Sequence, residues 1–186
     1  MESGHELFIH GLTDILDGEQ QLVDALQKLA DDSTNPQLKK AFETHGRETE
    51  EQVERLNQCF QLLGETPEQS ECKGLKGLIE EKEAFSEEDP EPDILDIFDV
   101  GAAIKAETYE ICEYKSLIQM ARAMKHAKAA QLLTQTLKEE QATLKKMEAF
   151  QKKLKPEQMM TEQQQEKAMA SSKSSGSGRK NRKRAA

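Results

Sequence analysis

Residues 6–31, ELFIHGLTDILDGEQQLVDALQKLAD, form one amphipathic segment from which the architecture can be built. Its apolar side chains Phe8, Leu12, Ile15, Leu16, Leu22, Val23, Leu26 and Leu29 return at steps of three and four, the period of an α-helix with one buried face. At about 100° per residue, Glu19 falls inside the arc spanned by Leu12, Ile15, Val23 and Leu26 rather than at its edge. A carboxylate on that face is costly unless it is paired, protonated or bound to a cation. Every further helix is therefore read for a polar partner at the same depth.

Outward from this segment, DDSTNP at 31–36 breaks the pattern, and Asn35 followed by Pro36 reads as an N-cap and a proline at the first helical position. A second helix carries Leu38, Ala41, Phe42, Val53, Leu56, Phe60 and Leu63 to Gly64, a C-terminal stop that Thr66-Pro67 reinforces. The short loop makes the first two helices an antiparallel hairpin. Residues 65–93 then form a long connection containing LKGLIEEKEAF, a short helix, closed by SEEDPEPD. A third long helix follows from about Ile94 to Met124, with a tight turn near Lys125 to Ala127 and no strong stop signal. A fourth places Ala129, Leu132, Leu133, Thr136, Leu144, Met147 and Leu154 on a stripe that Pro156 ends.

Hairpin, long crossover, hairpin is the connectivity of the ferritin-like four-helix bundle. Composition agrees with an all-α class: 35% apolar, 33% charged, 4% aromatic and no Trp. The two hairpins also correspond weakly, with Glu19 falling on Glu107 at an offset of 88 and Glu48 on Glu139 at an offset of 91. The reading is one bundle domain over 1–154 and a tail over 155–186 that is Gln-rich, then Ser/Gly-rich, then basic, and is expected to be disordered. The net charge of −9 divides into about −14 for the body and +5 for the tail, so a nucleic-acid role could belong only to the tail and its RKNRKR cluster. Three cysteines without CxxC spacing indicate neither a disulfide framework nor a zinc ribbon. With no signal peptide and no apolar run near the length of a membrane span, a cytoplasmic protein is expected.

Applying the same helical wheel, His45 sits beside Leu38, Phe42 and Leu56, with Glu48 displaced toward the edge. Glu107 lies between Val100, Ala103, Ile104 and Ile111, and Glu110 at the flank of that face. Glu140 lies among Leu133, Leu144 and Met147, with Glu139 flanking. Tyr114 is within reach of Glu107 and Glu110. His5, His10 and His126 read as surface or helix-end positions. Carboxylates with an imidazole on facing helices are what iron or manganese needs, since hard oxygen ligands neutralise the cations and can bridge two of them. Two irons per chain lead the reading, with manganese or zinc as alternatives. A metal-free helical interaction scaffold, with its inward carboxylates protonated or paired with His45, is the rival.

The motifs LFIHGLTDILDGEQQLVDAL, AFETHGRETEEQVERLNQCFQLLGETP, KAETYEICEY and LLTQTLKEEQATLKKM together resemble the YciE/YciF-type ferritin-like proteins, over about residues 6–154. The resemblance implies a rubrerythrin-related bundle with a dinuclear iron site, a homodimer and a bacterial stress-response setting. It carries the ligand set onto Glu19, the His45 to Glu48 pair, the Glu107 to Glu110 pair and one of the Glu139-Glu140 doublet. Oxidation of Fe(II) by O₂ or peroxide is the activity that follows by analogy. The second helix reads HxxE where the wider ferritin-like pattern reads ExxH, the fourth has no histidine, and Thr108 stands where the family often shows histidine.

Overall fold

A computed structural model describes residues 1–155, 159–161, 164, 165 and 167. Among these are α1 (Gly4–Asp32), α2 (Pro36–Leu63), α3 (Lys73–Glu87), α4 (Pro92–Ala123) and α5 (Ala127–Gln151). Their order is the expected hairpin, crossover helix, hairpin. The bundle unit spans Met1–Gln151, and the chain from Lys152 clusters as a second unit. The basic cluster at 179–184 and the expected lack of packing around it lie outside the described residues. None of the described helices is long and apolar enough to cross a membrane.

Local chemistry sets the ends. Ser3 Oγ accepts from the Glu6 amide at 3.1 Å, and Asn35 Oδ1 accepts from the amides of Gln37 at 2.9 Å and Leu38 at 3.3 Å, so both hairpin helices open on side-chain caps. Gly64 closes α2 in the left-handed region at φ 72°, which lets the Glu65 amide donate to the Phe60 carbonyl at 3.0 Å. The α4–α5 turn makes the same kind of closure without glycine. Lys125 takes φ 62°, and the His126 amide donates to Ala121 O at 2.8 Å. No residue type in the turn advertises it, which is why its position in sequence rests on the apolar stripe resuming beyond it. Pro156 does not end α5; the helix stops at Gln151, a turn short of it.

The helices pack pairwise as α1 with α2 and α4 with α5, closed by α2 against α5 and α1 against α4. The antiparallel pairing puts Phe8, Leu12, Phe60, Leu117 and Leu133 in one end layer, all essentially without solvent exposure. Burying a side chain of this size contributes about 1.5–3 kcal/mol. The crossover helix α3 lies over α1 and α4. It seats closely because a glycine stands at each contact: a Cβ on Gly18 of α1 would meet Leu75 Cδ1 at 2.5 Å, and one on Gly74 of α3 itself would meet the Tyr109 ring of α4 at 2.5 Å. Ion pairs Lys28–Glu83 at 2.7 Å and Lys82–Asp32 at 2.6 Å join α3 to α1, and Lys105–Glu81 at 2.6 Å joins it to α4. Phe85 stacks on Phe98 with centroids 3.9 Å apart.

Candidate metal centre

Each long helix delivers polar groups to the middle of the bundle. Glu19 comes from α1, His45 from α2, Glu107 and Glu110 from α4, and Glu140 from α5, and none is more than 3% exposed. His45 Nε2 lies 2.8 Å from Glu107 Oε1 and 4.0 Å from Glu140 Oε2. One donor atom from each of His45, Glu107 and Glu140 falls within 4.8 Å of the others. Tyr114, two turns after Glu107, donates its hydroxyl to Glu19 Oε1. Glu19 and Glu110 interact with each other and with Glu107, so five residues from four helices share one buried volume.

The cluster is under-bonded. Glu19 Oε2, Glu107 Oε2, both oxygens of Glu110 and Glu140 Oε2 are buried with no hydrogen-bond partner. Burial pushes the Glu19 carboxyl up to about 7, against the opposing effects of the Tyr114 hydroxyl and His45. Glu110 is held well above the usual carboxylate range, by burial first and then by the charge of Glu19. Glu140 is raised likewise, by burial and by Glu107. For His45 burial works against the charged ring, but the Glu107, Glu48 and Glu140 carboxylates together more than offset it and hold its pKa well above the ordinary range. A shared pocket of like charges with unmet lone pairs is held electrically neutral either by protons or by cations.

Around this centre the structure sorts residues the sequence left ambiguous. Glu140 turns inward, whereas Glu139 is taken by Arg55, which donates from Nη1 at 2.7 Å and from Nη2 at 3.1 Å. Arg55 Nη1 also donates to Thr136 Oγ1 at 2.7 Å, and Gln52 Nε2 donates to Glu139 at 3.2 Å and to Glu140. Glu48 is not brought into the cluster. Its carboxylate, 40% exposed, lies 3.8 Å from His45 Nδ1, on the opposite side of the ring from Glu107, and the His45 partnership lowers its pKa. Thr108 is exposed and donates to its own helix at Ile104 O, 2.7 Å away, so that departure from the family pattern falls outside the centre. Sequence reasoning missed Gln52 and Arg55. The available signal was the spacing of seven from His45 to Gln52, which returns a polar side chain to the same helix face.

Antiparallel helical hairpins joined by a covered crossover, with carboxylates and an imidazole converging at mid-height, define a ferritin-like four-helix bundle. The chain belongs to the family described as "Domain of unknown function (DUF892)", whose model matches residues 3–160. It is 38% identical over 144 residues to protein YciF of Escherichia coli K12, spanning 77% of this chain and 87% of that protein. The crystal structure of YciF, described as an E. coli stress protein, superposes with a TM-score of 0.78 at 36% identity, covering 81% of this chain and 96% of that one. YcfI from Rhodopseudomonas palustris gives 0.77 at 36% identity, covering 80% and 94%. A two-domain protein of Anabaena variabilis, with DJ-1/ThiJ/PfpI-like and ferritin-like domains, gives 0.59 at 16% identity, covering 83% of this chain and 40% of that one, a likeness of fold.

Proposed function

We propose that this chain binds two metal ions, iron first, and serves in stress protection. Glu19, His45, Glu107, Glu110 and Glu140 would be the ligands, with Glu48 orienting the imidazole from its Nδ1 side as carboxylates commonly do behind a metal-bound histidine. The observation that supports this is the set of buried carboxylate oxygens without partners. Four carboxylates match the charge of two divalent cations while leaving the imidazole neutral, and oxygen-rich sites with one nitrogen suit iron or manganese. A bound iron pair supplies Lewis-acid and one-electron chemistry toward O₂ or peroxide. The chain's own residues do the rest. Tyr114 fixes Glu19 through its hydroxyl, Gln52 fixes Glu140, and the surrounding hydrocarbon excludes bulk water. The stress setting is taken from what YciF is described to be.

The deciding experiment is elemental analysis after anaerobic Fe(II) loading. About two irons per chain are expected, with loss of both in a Glu19→Ala plus Glu107→Ala variant that still folds. A wild-type chain that retains no iron, manganese or zinc would leave the metal-free scaffold as the surviving account. Fe(II) consumption on adding O₂ or peroxide then reads turnover separately from binding. The homodimer implied by the family resemblance is read by sedimentation equilibrium, as twice the chain mass of 21.0 kDa.

A further inference from the structure

Beneath α3, between α1 and α4, lies a cavity of about 50 Å³. A single water needs about 10–15 Å³ of such space, so there is room for more than one small molecule. Its walls are hydrocarbon, supplied among others by Leu22, Leu26, Leu78, Ile79, Ala103 and Ala106. Its outer rim includes Lys28 and Glu83, the exposed ion pair that joins α3 to α1. Its inner end includes His45, Glu107 and Glu110. Glu110 is 1% exposed and neither of its carboxylate oxygens has a partner.

We propose that this cavity binds a small uncharged molecule of the size of dioxygen and brings it to the Glu110 side of the carboxylate cluster. The inference rests on the metal-centre reading for its purpose, though not for its test. Hydrocarbon walls penalise ions and hydrated solutes, because a polar species entering them gives up water hydrogen bonds and gains none. An apolar void of this kind stays dry and accepts apolar guests. The space exists because the α4 wall is built from alanines. Ala102, Ala103 and Ala106 face the larger Leu78 and Ile79 of α3 without filling the gap between them. The crossover helix thereby acquires a role the connectivity alone does not require: it roofs a dry passage from the surface to the polar centre.

The test uses the metal-free full chain with ¹³C-labelled Leu and Ile methyls, under several atmospheres of O₂, the paramagnetic gas itself being the probe. Relaxation enhancement at Leu78 and Ile79 should exceed, by severalfold, that at Leu132 and Leu137, which are likewise partly buried and do not line the cavity. In Ala103→Leu the excess at Ile79 should vanish, and Ile79→Phe, which fills the space from the opposite wall, should abolish it at Leu78. Both variants should keep the iron stoichiometry of the parent. Equal enhancement at all four methyls of the parent, or an excess that survives both filling variants, would overturn the proposal. A chain that binds O₂ here and no iron would sink the metal reading alone; one that binds iron without enhanced methyls would sink this inference alone.

Discussion

The end layer of the bundle and its middle are buried to the same depth and answer to opposite rules. Around Phe8, Leu12, Phe60, Leu117 and Leu133 each side chain meets hydrocarbon, and the layer is complete as it stands. Around Glu19, His45, Glu107, Glu110 and Glu140 the packing is equally closed, yet carboxylate oxygens face each other without donors. Solvent exposure does not separate the two layers; unmet hydrogen-bonding capacity does. The first layer stabilises the fold, and the second draws on that stability until protons or cations neutralise it.

The widest separation between the layers should come from Phe8→Ala. Removing a fully buried ring from a layer without compensating contacts is expected to destabilise by about 3–5 kcal/mol in urea unfolding. Glu110→Leu should move the metal-free protein the other way, raising stability by about 1–3 kcal/mol while lowering the iron bound per chain. A loss of stability in metal-free Glu110→Leu comparable with that of Phe8→Ala would erase the distinction between the layers.

Asp99 is a buried carboxylate that lies outside the cluster. It is 0% exposed and both its oxygens lack partners. Burial raises its pKa from 3.8 to about 7, partly offset by Lys82. Folding therefore favours its neutral form. The stability this gives is fully present below its ordinary pKa and is lost as pH rises through about 7. Asp99→Asn should accordingly gain unfolding temperature relative to the parent at pH 8 more than at pH 5, with or without iron. An identical difference at the two pH values would show that this carboxyl is not the titrating group. The smallest effect belongs to the α4–α5 turn, where Lys125→Gly relieves a left-handed side chain and should stabilise by up to about 1 kcal/mol, read as a raised urea midpoint with unchanged iron binding.

Much of this was legible in the chain because helices record their own boundaries and buried faces locally. Asn35, Pro36 and Gly64 mark their ends, and the apolar period placed Glu19, His45, Glu107 and Glu140 on inward faces. The weak internal repeat also holds in space: Glu19 and Glu107 meet in the centre, while Glu48 and Glu139 both stand outside it. Other placements depended on partners far along the sequence. The helical wheel puts Glu140 inward and Glu139 at its flank, but it is Arg55 of α2 that takes the Glu139 carboxylate and holds it out of the centre. Glu110, at the edge of its own helical wheel, becomes buried because α4 packs against its neighbours.

The helices, their order and the presence of polar groups on apolar faces are written in the chain, because periodicity and capping act over a few residues. Which carboxylates share one pocket, which one Arg55 turns away, and the hydrocarbon cavity that α3 roofs beside them came from packing. Those outcomes depend on distances between separate helices, which packing sets and no single helix encodes.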